Sequence, residues 1–235
     1  MKNELWLAID TATDVASVAV GTAERIAAAR SMRGARQHAA QIVPLIQDVL
    51  ALARARLEQI EGLIVGDGPG SFTGLRIGWA AAKGLAHERG LPLVAVPSLL
   101  GNAHAAARGD TGPVATCFDA LRGQVFAAIY AFPPDRVETI VAPELFTVAT
   151  LAQMSPVQPR LAVGDGADRY HEEIERWIGR PPVPLDDVPP IAGSLLALAP
   201  LAGYPAIGEP IYGRPAEAQV KWEARHGRAL PHSPR

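Results

Sequence analysis

The sequence predicts an α/β protein made of two related lobes, and three observations carry that prediction. A strand, an Asp-led turn and a returning strand recur; a strand ending in Gly-Asp-Gly recurs in the same order; and amphipathic helices lie between them. In the first copy, "LWLAIDTATDVASVAV", Leu5 to Ile9 read as a buried strand, Asp10 to Asp14 as the turn and Val15 to Val20 as the return. In the second, "VATCFDALRGQVFAAIY", Val114 to Phe118 precede Asp119 and Val125 to Tyr130 return, so Asp10 and Asp119 hold equivalent places. The Gly-Asp-Gly strands are "LIVGDGPG" at Leu63 to Gly70 and "LAVGDGAD" at Leu161 to Asp168. Such turns are common in α/β proteins, and it is the shared order of the two pairs that points to duplication. The implied division is a first lobe at residues 1–108, a second at 109–213 entered through "RGDTG", and a basic tail at 214–235.

Within the first lobe, "HAAQIVPLIQDVLARA" carries Ile42, Leu45, Ile46, Val49, Leu50 and Ala53 at 3/4 spacing, which predicts an amphipathic helix over residues 38–53. Pro44 removes one backbone hydrogen bond and crowds the preceding turn, at a cost of roughly 3 kcal/mol, so a kink or a start near it is expected. A second helix is expected from about Gly74 to His87. In the second lobe "YHEEIERWI" reads as a short helix, "RPPVPLDDVPP" as a proline-stiffened loop and Ser194 to Ala199 as a helix. The tail, with Lys221, Arg225, Arg228 and Arg235, is expected to fray; brushing nucleic-acid phosphates with so few charges would be weak and salt-sensitive.

Composition removes several function classes. At 235 residues the chain can bury a real core without metal or disulfide, and 22 Lys+Arg against 24 Asp+Glu leave no global field for nucleic acid or membrane. The single cysteine, Cys117, excludes an internal disulfide, suits a reducing compartment and, mid-strand, reads as a small buried hydrophobe. The N-terminus has no signal-peptide pattern, and the longest uncharged run is broken by Pro200 and Pro205, so a cytoplasmic protein without membrane contact is expected.

"GDGPGSFTGLRIG" at Gly66 to Gly78 raises the question of phosphate binding. It matches neither G-x-x-x-x-G-K-[ST] nor G-x-G-x-x-G, since Ser71 stands where the third glycine belongs. What it offers is a tight turn, a capping hydroxyl at Ser71 or Thr73, and a helix start. Small residues follow at Gly74, Gly78, Ala81, Ala82 and Gly84, each internal glycine costing about 1 kcal/mol relative to alanine. A helix bearing that cost needs a close neighbour. Either the lobe's own sheet is that neighbour, or the two helices form an exposed pair that docks on another protein. The candidate anchors are His38, Ile42, Leu45, Ile46 and Val49 on one helix and Leu75, Gly78, Trp79 and Ala82 on the other.

In order, "LAIDTAT", the helix led by His38 with "IVPLI", "GDGPGSFTGLRIGWAAAKGLAHERGLPLVAVPSL", "DALRGQVFAAIY" and "PIYGRP" resemble the TsaB family, bacterial proteins needed to make N6-threonylcarbamoyladenosine in tRNA. The resemblance spans nearly the whole chain to about Arg214. It implies a duplicated actin-like (actin and sugar-kinase) ATPase fold, in agreement with the internal repeats. It also implies a non-catalytic paralogue of TsaD, the subunit that transfers the threonylcarbamoyl group, paired with it through helices of the first lobe. On that footing a TsaD-like subunit and a TsaE-like ATPase are the expected partners, a homodimer the expected state alone, and tRNA an indirect contact. ATP and metal are expected on the partner subunits, with no cofactor of its own.

The catalytic alternatives are read from the same residues. TsaD-like proteins carry two histidines, four residues apart, as metal ligands where this chain has Ser98 and Asn102, and no two of its six histidines lie three or four residues apart, so no metal centre is expected. Asp10, Thr11 and Thr13 are the cofactor-binding candidates, because in kinases of this superfamily the Asp-led hairpin underlies the phosphates; the ordinary reading is a capped turn. The rival function is an ATP-dependent phosphotransferase using the Asp10 and Asp119 loops across the cleft. A freestanding peptidase lacks Gly-x-Ser-x-Gly and any Ser/His/Asp pattern. His38 reads as a helix cap rather than a metal-ligand relic, and Arg122 is open between facing an anion in the cleft and being solvated.

Overall fold

The computed structural model describes residues 4–34, 37–214, 222 and 225–227, so most of the expected tail lies outside the described residues. Strand β1 (Leu5–Asp10) pairs antiparallel with β2 (Val15–Gly21), which pairs with β3 (Ile26–Arg33). Helix α1 (His38–Leu52) then leads to β4 (Ile60–Gly66), parallel to β1, and α2 (Phe72–Arg89) to β5 (Leu93–Val96), parallel to β4. Helix α3 (Ser98–Ala107) crosses to the second sheet, where β6 (Val114–Asp119), β7 (Val125–Ala131) and β8 (Glu138–Phe146) repeat the antiparallel meander. After α4 (Val148–Met154), β9 (Leu161–Val163) lies parallel to β6, as β4 does to β1, followed by α5 (Asp165–Arg169) and α6 (His171–Ile178). The duplication is therefore topological, with Asp10 and Asp119 each ending the central strand of its sheet.

Alternation along the strands divides the core. Leu7, Ile9, Val18, Val20, Leu63 and Val65 point to one face and pack with α1 and α2. Trp6, Ala8, Ala19 and Ile64 point to the other, into a cluster shared with Leu99, Phe118, Phe126 and Leu195. That shared layer holds α3 and α7 (Ile191–Ala202) between the two sheets. A third cluster packs β6 and β7 against α4 and α6 through Cys117, Ile129, Leu151 and Ile174. Cys117 is fully buried, and burial pushes its thiol up to about 12.

Three expectations need correction. The second lobe does not keep residues 109–213 to itself, because α7 packs on the first sheet and β10 (Tyr204–Pro205) becomes its edge strand beside β5. The reason is that α7 is apolar on nearly every side, from Ile191 through Ala199, and such a helix is buried between two walls. Pro44 does not start the helix; α1 runs through it, with both Pro44 and Ala40, the residue one turn back, on the exposed side. Helix α2 begins at Phe72 rather than Gly74, capped by Ser71 Oγ accepting from Gly74 N at 3.2 Å.

Candidate functional site

The Asp-led turn at the end of β1 faces inward. Asp10 is fully buried; one carboxylate oxygen accepts from Ala12 N at 3.2 Å and the other from Ser98 Oγ at 2.5 Å. Desolvation raises the Asp10 pKa above the ordinary value against those hydrogen bonds. Gly66 permits the arrangement, since a Cβ there would stand 1.9 Å from Asp10 Oδ2. Thr11 Oγ1 donates to Gly74 O at 2.7 Å and so ties the turn to the first turn of α2. Of the three candidate cofactor residues, Thr13 alone lines the cavity between the lobes; Asp10 and Thr11 are spent on internal structure.

Asp119 is spent as well. Its carboxylate accepts from Leu121 N at 2.9 Å and pairs with Arg169 at 2.9 Å, and its own N–H donates to Asp165 at 3.1 Å. The cavity, about 350 Å³, is lined by Thr13, Asp14, Arg33, Asn102, Phe118 and Asp165 among others. Among the described residues its one guanidinium, Arg33, is already paired with Asp186, another lining residue, at 2.9 Å. Three carboxylates against one engaged arginine among those residues disfavour phosphates here.

Burial pushes the Asp165 pKa up to about 6, with the nearby Asp119 charge adding to it, against backbone N–H bonds from Asp119 and Gly166. The folded value exceeds the unfolded one of about 3.9, so the fold binds this proton more tightly than the open chain. The associated stability is fully present below about pH 4 and is lost as pH rises through about 6. Asp165→Asn keeps the accepting oxygen without the charge. The variant is expected to be more stable than wild type at pH 8, by on the order of 1–3 kcal/mol, and to flatten the decline in urea melts between about pH 4 and 7. A variant that keeps the full slope would assign the dependence to another group.

Ser98 and Asn102 are both buried and both occupied. Ser98 serves Asp10, and Asn102 Nδ2 donates to Thr116 Oγ1 on β6 at 3.1 Å, joining α3 to the second sheet. Among the described residues no group of three or more His, Cys, Asp or Glu side chains is placed to hold a metal. His38 is not a helix cap: Gln37 holds that position, and buried His38 faces Asp14 O through Nε2 at 3.2 Å, fixing α1 to the Asp-led turn. Arg122 sits at left-handed φ in the β6–β7 connection and has an interaction of its own, so it is not a free cation awaiting an anion.

The anchor residues expected on a docking surface are all in the core. His38, Ile42, Leu45, Ile46 and Val49 of α1 and Leu75, Gly78, Trp79 and Ala82 of α2 are buried in the chain by itself. The 3/4 apolar row is the face toward the sheet, as it is for an ordinary surface helix, and Trp79 Nε1 donates inward to Gly66 O at 3.3 Å. Gly78 lies over Thr11, whose Oγ1 would be 2.3 Å from a Cβ. Sequence reasoning missed the outer face, where Ala39, Ala40, Val43, Pro44, Ala51 and Leu52 stand beside Gln41, Gln47 and Asp48 on α1, and Phe72, Ala80 and Gly84 stand beside Arg76, Lys83 and His87 on α2. Its signal was compositional: within the fifteen residues of α1, Asp48 is the sole acidic or basic side chain besides buried His38.

Two lobes of matching topology, each a meander with a parallel fourth strand and with two helices enclosed between the sheets, define the duplicated actin-like fold. A protein-family model described as TsaD, tRNA N6-adenosine threonylcarbamoyltransferase, matches residues 32–176. The chain is 36% identical over 146 residues to the Escherichia coli tRNA threonylcarbamoyladenosine biosynthesis protein TsaB, a match covering 59% of this chain and 63% of that relative's length. The Bacillus subtilis protein of the same name is 29% identical over 175 residues, 74% of this chain and 76% of the relative. Among solved structures, YeaZ from Pseudomonas aeruginosa superposes with a TM-score of 0.70 at 27% identity, covering 84% of this chain and 91% of that one. The chain belongs to the family of that model, on the branch of the TsaB proteins. Among its described residues no helix is long and apolar enough to cross a membrane.

Proposed function

We propose that this chain is a non-catalytic subunit required for threonylcarbamoylation of adenosine in tRNA, acting by docking the outer face of α1 and α2 on a TsaD-like catalytic paralogue. The observation that carries the docking half is the outer face of α1, exposed yet almost uncharged, with Val43 at 56% and Leu52 at 49% exposure. A helix face that stays in water ordinarily carries charges, and charge depletion with exposed aliphatics marks the core of an interface. The non-catalytic half is supported by the buried engagement of Asp10 and the ion-paired engagement of Asp119, the groups an actin-like phosphotransferase would turn toward nucleotide. ATP and metal then belong to partner subunits, a TsaE-like ATPase joins the assembly, and tRNA is contacted through the complex. In the absence of the catalytic subunit, the same face gives a homodimer.

Calorimetric titration of the isolated chain with ATP and magnesium separates this reading from the phosphotransferase. No saturable heat is expected up to about 1 mM nucleotide, weaker than about −4 kcal/mol of binding. Micromolar affinity without any partner would put the phosphotransferase first.

A further inference from the structure

From β10 onward, residues 204–214 run as a strap across the start of α2 to the second lobe. Tyr204 Oη donates to Asp67 Oδ2, and Ile211 N donates to Asp67 O at 2.9 Å. Lys83 Nζ donates to Gly208 O, and Arg76 Nε donates to Tyr212 Oη at 3.1 Å. The Tyr212 ring lies 4.5 Å from that of Phe72, over which the Arg76 guanidinium sits at 4.3 Å. At the far end Arg214 donates to Ala120 O in the connection between β6 and β7.

Burial holds the strap at a few points only: Pro210 is buried and Ala206 and Tyr212 are partly so, whereas Ile207 is 85% exposed and Ile211 54%, and polar contacts supply the rest. Arg76 and Lys83, two of the groups that hold it, are exposed residues of α2, and both donate to neutral oxygens. A carboxylate competes well for such donors, because charge-assisted hydrogen bonds are roughly twice as strong as neutral ones. Beneath the strap, Asp67 Oδ1 is buried without a partner, and hydration on opening would relieve that loss.

We propose that residues 204–214 are a latch which a docking partner with carboxylates on its contact face opens by taking Arg76 and Lys83, freeing the β6–β7 connection of the second lobe from Arg214. This rests on the reading that the outer face of α1 and α2 is where the catalytic paralogue docks. Binding at the first lobe is thereby transmitted to the second through a segment with two arrangements, on the helix or off it.

Hydrogen–deuterium exchange on peptides spanning residues 203–214 and 119–124 tests the latch. In the complex with the TsaD-like subunit both peptides are expected to exchange about tenfold faster than in the free chain. In the free chain, Arg76→Ala with Lys83→Ala should reproduce the rise while β1 and β4 keep their protection, and Tyr212→Phe, which removes only an acceptor, should give part of it. Protection or no change of 203–214 in the complex overturns the proposal, as does a double variant within about twofold of wild type. Failure of any complex to form on size exclusion would defeat the docking reading and the partner's role here with it. The free-chain variants would still decide whether Arg76 and Lys83 hold the strap.

Discussion

Gly78→Trp is expected to leave no folded protein. A Cβ at this position already falls 2.3 Å from Thr11 Oγ1, and that hydroxyl is committed to Gly74 O at 2.7 Å. An indole would have to push α2 away from β1, separating Leu75 and Trp79 from the sheet they seal. Overpacking by a few methylenes alone costs about 1–3 kcal/mol, and a whole indole against backbone-tied neighbours exceeds the roughly 5–15 kcal/mol that holds an ordinary domain together. Gly84→Trp is the matched control on the same helix, because nothing lies within 4 Å of a Cβ there. Its stability should stay within about 1 kcal/mol of wild type. Soluble yield and thermal melts by circular dichroism read both, and a Gly78→Trp protein melting like wild type would show that this face of α2 is not packed against the turn.

The second large effect is on binding, with the fold left alone. Val43→Glu combined with Gly84→Glu places two like charges on the outer surfaces of α1 and α2, where Val43 is 56% exposed and a Cβ at Gly84 meets nothing. Burying an unpaired charge at the centre of an interface is costly, and a loss of at least about 100-fold in affinity for the catalytic paralogue, about 2.7 kcal/mol, is expected with an unchanged melting temperature. Ile42→Ala and Leu45→Ala should behave in the opposite way. Both residues are buried in the lobe's own core, so truncation should cost about 2–5 kcal/mol of stability while the surviving folded fraction binds normally. Calorimetry against the paralogue, beside urea melts, distinguishes the two classes. Equal binding by the Val43 and Gly84 variant would remove the outer face from the account.

The duplication was legible because burial on both faces makes strands such as Leu5–Asp10 and Val114–Asp119 continuous apolar runs ending in an aspartate. The edge strands were not. β3 reads "IAAARSMR" and β8 reads "ETIVAPELF", each with several exposed residues, so neither shows the apolar run or clean alternation that identifies a strand. The return of α7 to the first sheet was hidden for a different reason: a helix apolar all round says that it is buried, not between which walls. The candidate site failed in an instructive direction. Periodicity located α1 and α2 and their apolar rows, but the row a helix turns toward its own sheet has the same 3/4 spacing as one turned toward a partner. What separates the two is the opposite face, where α1 offers alanines, Val43, Pro44 and two glutamines, with Asp48 as its one charge, in place of the several lysines and glutamates that a solvated helix carries. Likewise Asp10 alone invites a functional reading, and only its 2.5 Å hydrogen bond with Ser98 shows that its carboxylate is engaged within the fold.

The measurement that reaches the central claim most directly is mass-spectrometric quantitation of N6-threonylcarbamoyladenosine in tRNA hydrolysates from cells depleted of this protein. The cells are rescued with the wild-type chain, with Gly84→Trp combined with Val43→Glu, or with nothing. The account predicts that the modified nucleoside falls on depletion, returns with the wild-type chain and does not return with the outer-face variant, although that variant accumulates as folded protein. An unchanged level on depletion, or full rescue by the outer-face variant, would contradict it.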